Sequence, residues 1–186
     1  MSEIPDVFTG GWVRRGIRLD GGPFHEDAVV WWLQTPSIHA DLRVPTGETV
    51  GPTCFAGVTS WDGAALTWNR RIDLEGYDGV DTGAASWDGE DLLEAGELDH
   101  GDGTATNYVE RWVRLPNSAA PLWAAESDGL YAVRAGAYAV TISDARDVGG
   151  GFHGTAWIWS GEDWTMHHTL PGAPLAPSPS DVWALR

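Results

Sequence analysis

Short runs in which apolar and polar residues alternate, each ending at a tight Gly-containing turn, recur between residues 11 and 168. Alternation sends successive side chains to opposite faces of a strand, and the Trp, Val, Thr and Tyr that fill these runs suit a pleated surface. The strands read in this way are Gly11–Leu19, Ala28–Thr35, Ile38–Val44, Thr53–Thr59, Ala65–Leu74, Ala84–Trp87, Asp91–Leu98, Asn107–Leu115, Leu122–Glu126, Leu130–Arg134, Ala137–Ser143, Gly154–Ser160 and Trp164–Thr169. None has a convincing helical period. Turns fall at Asp20-Gly21-Gly22, Asp62-Gly63, Asp78-Gly79, Asp88-Gly89, Asp102-Gly103, Ser127-Asp128-Gly129 and Gly161-Glu162-Asp163, where Gly tolerates the positive φ of a tight hairpin. A meander of this length must cover its sheet edges or close on itself. Closure of roughly eight to ten strands leaves an interior able to hold one small molecule. The expected fold is therefore all-β, an antiparallel up-and-down barrel, with residues 1–186 as one domain.

Two features punctuate the pattern. Ser60-Trp61-Asp62-Gly63 followed by Leu66 recurs as Ser86-Trp87-Asp88-Gly89 followed by Leu92, which is repeated turn chemistry, since one pair is too little for a solenoid or propeller. Pro171, Pro174, Pro177 and Pro179 make residues 171–180 an extended, polyproline-like strap. The strap is expected to cross one barrel end or to lead to Val182–Arg186, a helix capped by Ser180 or Asp181 or else a short final strand.

The period of two also sorts the chemistry. His39, Asp41 and Arg43 form one row, with Ile38, Ala40 and Leu42 opposite; Tyr108, Glu110, Trp112 and Arg114 form another, with Val109, Val113 and Leu115 opposite. If the apolar rows fill the barrel, the charged rows are solvated, as in most antiparallel sheets. If the charged rows point inward, Arg43 or Arg114 pairs with Asp41, Glu94 or Glu110. Trp112 favours the inward assignment, because it would otherwise stand outside beside two charges. Trp12 with Arg14 and Trp32 with Gln34 repeat the arrangement. An inward row makes a pocket walled by Trp and Tyr with a few convergent polar groups, the usual make-up of a small-molecule site. Burial raises a carboxylate's pKa and a nearby Arg lowers it, so neighbouring acids are left in protonation states suited to proton transfer.

Composition removes several classes. The formal charge of −16, from 27 acidic residues against 11 Arg, repels phosphate backbones and anionic membrane surfaces. There is no Lys, which excludes Schiff-base and pyridoxal chemistry and the lysine of a phosphate loop. The single Cys54 makes no internal disulfide and reads as a small buried residue beside Phe55. Met1–Gly10 lacks a basic region followed by an apolar stretch, and no window suits a bilayer, so a soluble cytoplasmic protein is expected. Adjacent His167 and His168 point to opposite faces of a strand, and the usual zinc spacings are absent. His153, His167 and His168 each read as structural, with a heme-type ligand as the alternative. Asp73, Glu75, Asp78 and Asp81 fit no calcium loop and read as a solvated hairpin loop. Gly149-Gly150-Gly151 is too short for a phosphate loop, and no nucleophile elbow or dinucleotide fingerprint occurs.

Gly10-Gly11-Trp12 resembles the Gly-x-Trp signature that opens lipocalin barrels. In that family the Trp closes one barrel end against an Arg from a late strand, which the resemblance assigns here to Trp12 with either Arg114 or Arg186. A broader stretch, about residues 30 to 115, is similar to the calycin-like fold of the fungal Hri-type family. It comprises Trp31-Trp32-Leu33-Gln34-Thr35, Asp41-Leu42-Arg43, Glu94-Ala95-Gly96 and Tyr108-Val109-Glu110-Arg111-Trp112. That resemblance implies a small-ligand barrel and transfers no catalytic residue.

The leading expectation is a calycin/lipocalin-like barrel that binds a small apolar or aromatic molecule inside. The candidate ligand-binding residues are Trp12, Arg14, Trp32, Gln34, Arg43, Tyr108, Trp112 and Arg114. The alternative is a cofactor-independent isomerase, cyclase, dehydratase or lyase using His39, Asp41, Glu94 and Glu110 for acid–base work. A protein-interaction module using the acidic surface is the third. No metal, cofactor, nucleic acid or membrane is expected, and the oligomeric state is left open.

Overall fold

Each strand run forms a strand, and the hairpin tips fall between them, but the strands divide into two sheets. The computed structural model describes residues 4–47, 51–77 and 80–183; the expected turn at Asp78-Gly79 and the candidate Arg186 lie outside them. The first eight strands are β1 (Gly10–Leu19), β2 (Ala28–Gln34), β3 (Ile38–Pro45), β4 (Thr53–Trp61), β5 (Ala65–Asp73), β6 (Val80–Asp88), β7 (Asp91–Asp99) and β8 (Ala105–Arg114). They form a closed antiparallel barrel in chain order, sealed by the pairing of β1 with β8 at Trp12↔Arg114. β6 begins four residues before the expected Ala84, because Val80-Asp81-Thr82-Gly83 carries too little apolar alternation to register as strand.

The remaining strands stay out of the barrel. β9 (Leu122–Ser127), β10 (Leu130–Ala135), β11 (Tyr138–Asp144), β12 (Phe152–Trp159) and β13 (Trp164–Thr169) make an open antiparallel sheet in the order β13-β12-β11-β10-β9. It packs on the outer face of β2, β3 and β4. The departure from the barrel is held at Gly136, where a Cβ would stand 1.8 Å from the Asn117 carbonyl oxygen and where φ is +59°, so only glycine fits.

This second sheet settles the choice between the two row assignments. On β2–β4 both rows are buried. The apolar row, including Trp31, Leu33, Ala40, Leu42, Cys54 and Ala56, points out of the barrel into a core shared with Val133, Val140, Ile142 and Ala156. The charged row is thereby turned inside. A separate core of Phe8, Trp12, Val30, Trp32, Leu66, Trp68, Leu92 and Trp112 fills one half of the barrel. Burying apolar area at about 25 cal/mol per Å2 thus stabilises both sides of the same strands.

The proline-rich strap lies on the second sheet rather than across a barrel end. Leu170 and Ala176 are buried there, and the Ala176 N–H donates to Thr155 Oγ1 at 3.1 Å. It leads into a short helix α1 (Pro179–Trp183). The cap is Ser178, not Ser180 or Asp181: the Asp181 N–H donates to Ser178 Oγ at 3.3 Å and the Ser178 N–H to Asp181 Oδ2 at 3.1 Å. That is a reciprocal capping box, with Pro at the first helical position. A bulge in the β12–β13 ladder after Ala156↔His168 shifts His167 out of strict alternation. Both His167 and His168 consequently meet the Trp31 ring edge-on, at 4.8 and 4.9 Å. Among the described residues no helix is long and apolar enough to cross a membrane.

Candidate functional site

One barrel end is sealed by the chain that precedes β1. The Trp12 indole is fully buried, donates to the Phe8 carbonyl at 2.9 Å, and lies under the Arg114 guanidinium at 4.2 Å. Arg114 also donates to the carbonyls of Thr9 and Val7, so one cation pins the incoming segment and stacks on the plug. Arg114 is therefore the late-strand partner of Trp12. It does not pair with Glu110, because these carbonyls and the indole engage it at the closed end.

Beneath the plug, Trp32 stacks on Trp12 at 6.0 Å and meets Trp68 and Trp112 edge-on at 5.6 and 5.7 Å. A neutral hydrogen-bond chain orients this layer. Gln34 Nε2 donates to the carbonyls of Thr35 and Ile38, which leaves Gln34 Oε1 to accept from Trp32 Nε1 at 3.1 Å and from the Thr59 hydroxyl at 2.8 Å. With its proton given to Gln34, Thr59 Oγ1 accepts from His39 Nδ1 at 3.0 Å. His39 then carries its proton on Nδ1 and leaves Nε2 without a partner. Burial, with help from the Arg70 charge, lowers the His39 pKa to about 3. It stays neutral at physiological pH, and its place in the closed half is that of an orienting group.

The opposite half holds the charges. Arg14 donates to Glu26 through Nε and Nη2 at 2.9 and 2.8 Å and to Glu110 Oε1 through Nη1 at 2.5 Å. Arg43 donates to Asp41 Oδ1 at 2.9 Å and reaches the same Glu110 oxygen at 3.4 Å. Two cations therefore face three carboxylates. Glu110 Oε2 is buried without a donor. Burial opposes the Arg14 charge, but Glu26 and Glu110 outweigh it and raise its pKa. Asp41 is raised by burial, a shift that Arg43 moderates.

Glu94 stands opposite Glu110 on the neighbouring strand. It accepts from the Tyr108 hydroxyl and from Trp112 Nε1, each at 3.1 Å. Burial, then the charges of Glu110 and Asp81, push its pKa well above the usual carboxylate range. Tyr108 is raised in turn, first by burial and then by Glu94. Two carboxyls on one layer are thus held in unlike environments.

Sequence reasoning missed Glu26, Phe55, Trp68, Arg70 and the role of Asp73. Asp73 is not a solvated loop residue: it is buried and pairs with Arg70 at 2.8 Å, and Arg70 also holds Asp81 at 2.9 Å. A bulge in the β4–β5 ladder between Ala56 and Gly57 puts Arg70 and Asp73 on one side despite their odd spacing. Alternation alone gave no sign of it. Arg70 also lies 3.7 Å over the Phe55 ring.

Little room is left between the indoles and the charges. The interior cavity is about 10 Å3, lined among others by Trp32, Trp68, Trp112, Asp41, Glu94 and Arg43, which is about the space of one water. Arg43 and Asp81 open this layer to the outside: their side chains are 25 and 31% exposed, against 4% for Asp41 and Glu110.

No protein-family model matches the chain, and no curated protein matches it significantly. Among solved structures it is similar to the uncharacterized protein YLR301w from Saccharomyces cerevisiae. The TM-score is 0.68 at 12% identity, over 87% of this chain and 85% of that one. At that identity the likeness is one of fold.

Proposed function

We propose that the polar half of the barrel binds one small, flat molecule carrying a positive charge, in keeping with the small-ligand barrels that the calycin resemblance implies. The observation that carries this reading is Arg43. Its guanidinium sits beside Asp41 and Glu110, 5.6 Å over the Phe55 ring, at the edge of a layer of three indoles and Glu94. Aromatic faces and carboxylates together select a planar cation, and the protein's own side chain occupies that place. A ligand enters when Arg43 swings toward solvent and the ligand's cation takes over Asp41 and Glu110. The buried Glu110 Oε2, which lacks a donor, supplies a further acceptor for it. The closed half is too full of indoles to admit a purely apolar guest.

Quenching of tryptophan fluorescence by benzamidine, with neutral benzamide as the isostere, tests this. Benzamidine should bind at least about tenfold more tightly than benzamide, and Arg43→Ala, checked for folding by circular dichroism, should bind benzamidine more tightly still. Equal binding of the two compounds, or no benzamidine binding by folded Arg43→Ala, refutes the reading.

The unlike environments of Glu94 and Glu110 favour a second reading, cofactor-free acid–base catalysis in the same place, with Glu94 as proton donor. Turnover of a bound compound that Glu94→Gln abolishes while binding persists would establish it. Binding without turnover leaves the first reading.

A further inference from the structure

The barrel wall is split along part of one seam. From Val80 to Ala84, β6 is laddered to β5. Its ladder to β7 runs only from Ala84↔Ala95 to Asp88↔Asp91. β7 meanwhile continues along β8 as far as Asp99↔Ala105. Val80–Gly83 and Gly96–Asp99 therefore face each other as two strand edges with no ladder between them, and a groove of about 890 Å3 opens there. Unpaired edges are templates for an added strand.

The surroundings specify the guest. Tyr77, Val80 and Leu98 line the groove and are 48, 56 and 43% exposed, with Val80 on the outer face of the wall and Leu98 on the inner. Glu75, Asp81, Glu97 and Asp99 lie among them, against Arg70, which Asp73 and Asp81 already hold. A second copy of a chain with net charge −16 would bring like charges to this rim, whereas a basic segment is drawn to it. On the inner side, the Glu94 carboxyl lies over Gly83 and the Tyr108 ring over Gly96. Inward-pointing side chains of a guest strand would meet both.

We propose that the β6–β7 seam binds an extended basic peptide segment as an added strand, hydrogen-bonded through its main chain to Val80–Gly83 and Gly96–Asp99. The seam adjoins the Arg43 layer, with Asp81 and Glu94 between them, but its test reads main-chain pairing and so does not depend on the small-molecule reading. Basic side chains of the guest face Glu97 and Asp99 on the outer face of the wall, and its apolar ones turn inward beside Leu98.

The probe is an eight-residue peptide of alternating Lys and Val, compared with the same peptide N-methylated at alternate residues and with its Glu–Val counterpart. Calorimetry should show saturable binding of the Lys–Val peptide alone, weakened by salt. Hydrogen exchange should slow at residues 80–83 and 96–99. The exposed double variant Glu97→Lys/Asp99→Lys should bind at least about tenfold more weakly with an unchanged circular dichroism spectrum. Equal binding of the N-methylated peptide would mean charge attraction without strand addition and overturns the proposal. So do protection elsewhere, failure of the Lys–Val peptide to bind, and self-association that protects the same amides.

Discussion

Removing Arg14 probes the buried ion network where it is least forgiving. The Arg14 side chain is 7% exposed and that of Glu110 4%, with 2.5 Å between their nearest charged atoms. In Arg14→Met, Glu26, whose side chain is 22% exposed, turns to water at little cost. Glu110 cannot, and keeps only Arg43 at 3.4 Å. Leaving a buried charge so poorly compensated costs about 3–5 kcal/mol. Glu110→Gln is milder, since Arg14 keeps its fork on Glu26 and Arg43 keeps Asp41, and about 2–3 kcal/mol is expected. In the double variant neither group is stranded, so its loss should fall short of the two single losses added together by at least about 2 kcal/mol. Urea unfolding followed by tryptophan fluorescence measures all three, and Arg14→Met should lower Tm by about 6–20 °C in a chain of this size. Single losses below about 1 kcal/mol with additive behaviour are the signature of an exposed pair and would refute the argument.

Three further outcomes are expected. Trp12→Ala should cost about 3–5 kcal/mol as a large buried truncation, and Arg114→Met should speed amide exchange in residues 6–9 by releasing the carbonyls of Val7 and Thr9; a Trp12→Ala loss under about 1 kcal/mol would contradict the plug. His39 has its pKa lowered to about 3 in the fold, below the ordinary value of about 6.5. The unfolded chain then takes up the proton first as pH falls, so the stability from neutral His39 is complete above about pH 6.5 and is lost toward pH 3. The stability gap between wild type and His39→Gln should accordingly shrink by about 2 kcal/mol from pH 7 to pH 5, and an unchanged gap would contradict the assignment. Cys54 is fully buried between barrel and second sheet, its thiol pKa raised by burial, so a disulfide reagent should label it only as fast as the protein unfolds; labelling within seconds in native buffer would show that the two sheets separate easily.

The sequence favoured the inward row without deciding it, because Trp112, Trp12 and Trp32 each share a face with polar neighbours, and a Trp–polar row has to satisfy both burial and hydrogen bonding. The partners inside that row were not legible. Glu110 meets Arg14 across the closing β1–β8 seam rather than Arg114 on its own strand, because strand registers, not spacing along the chain, decide which side chains meet. Arg70 with Asp73 was hidden by a bulge, and the start of β6 by a stretch of Asp, Thr and Gly.

By itself the sequence determined the strands, their hairpin order and the two rows on each strand, since these follow from a period of two and from turn residues that act locally. It also determined the chemistry available: no lysine, one cysteine and a large excess of carboxylates. Only the tertiary structure decided that the barrel closes after eight strands, that five others form a second sheet, and that this sheet covers the apolar row and turns the charged one inward. Tertiary packing alone also decided how little space remains beside Arg43 and where the wall splits. Local alternation says which side chains share a face. Which face becomes the inside depends on apolar area buried between elements far apart in the chain.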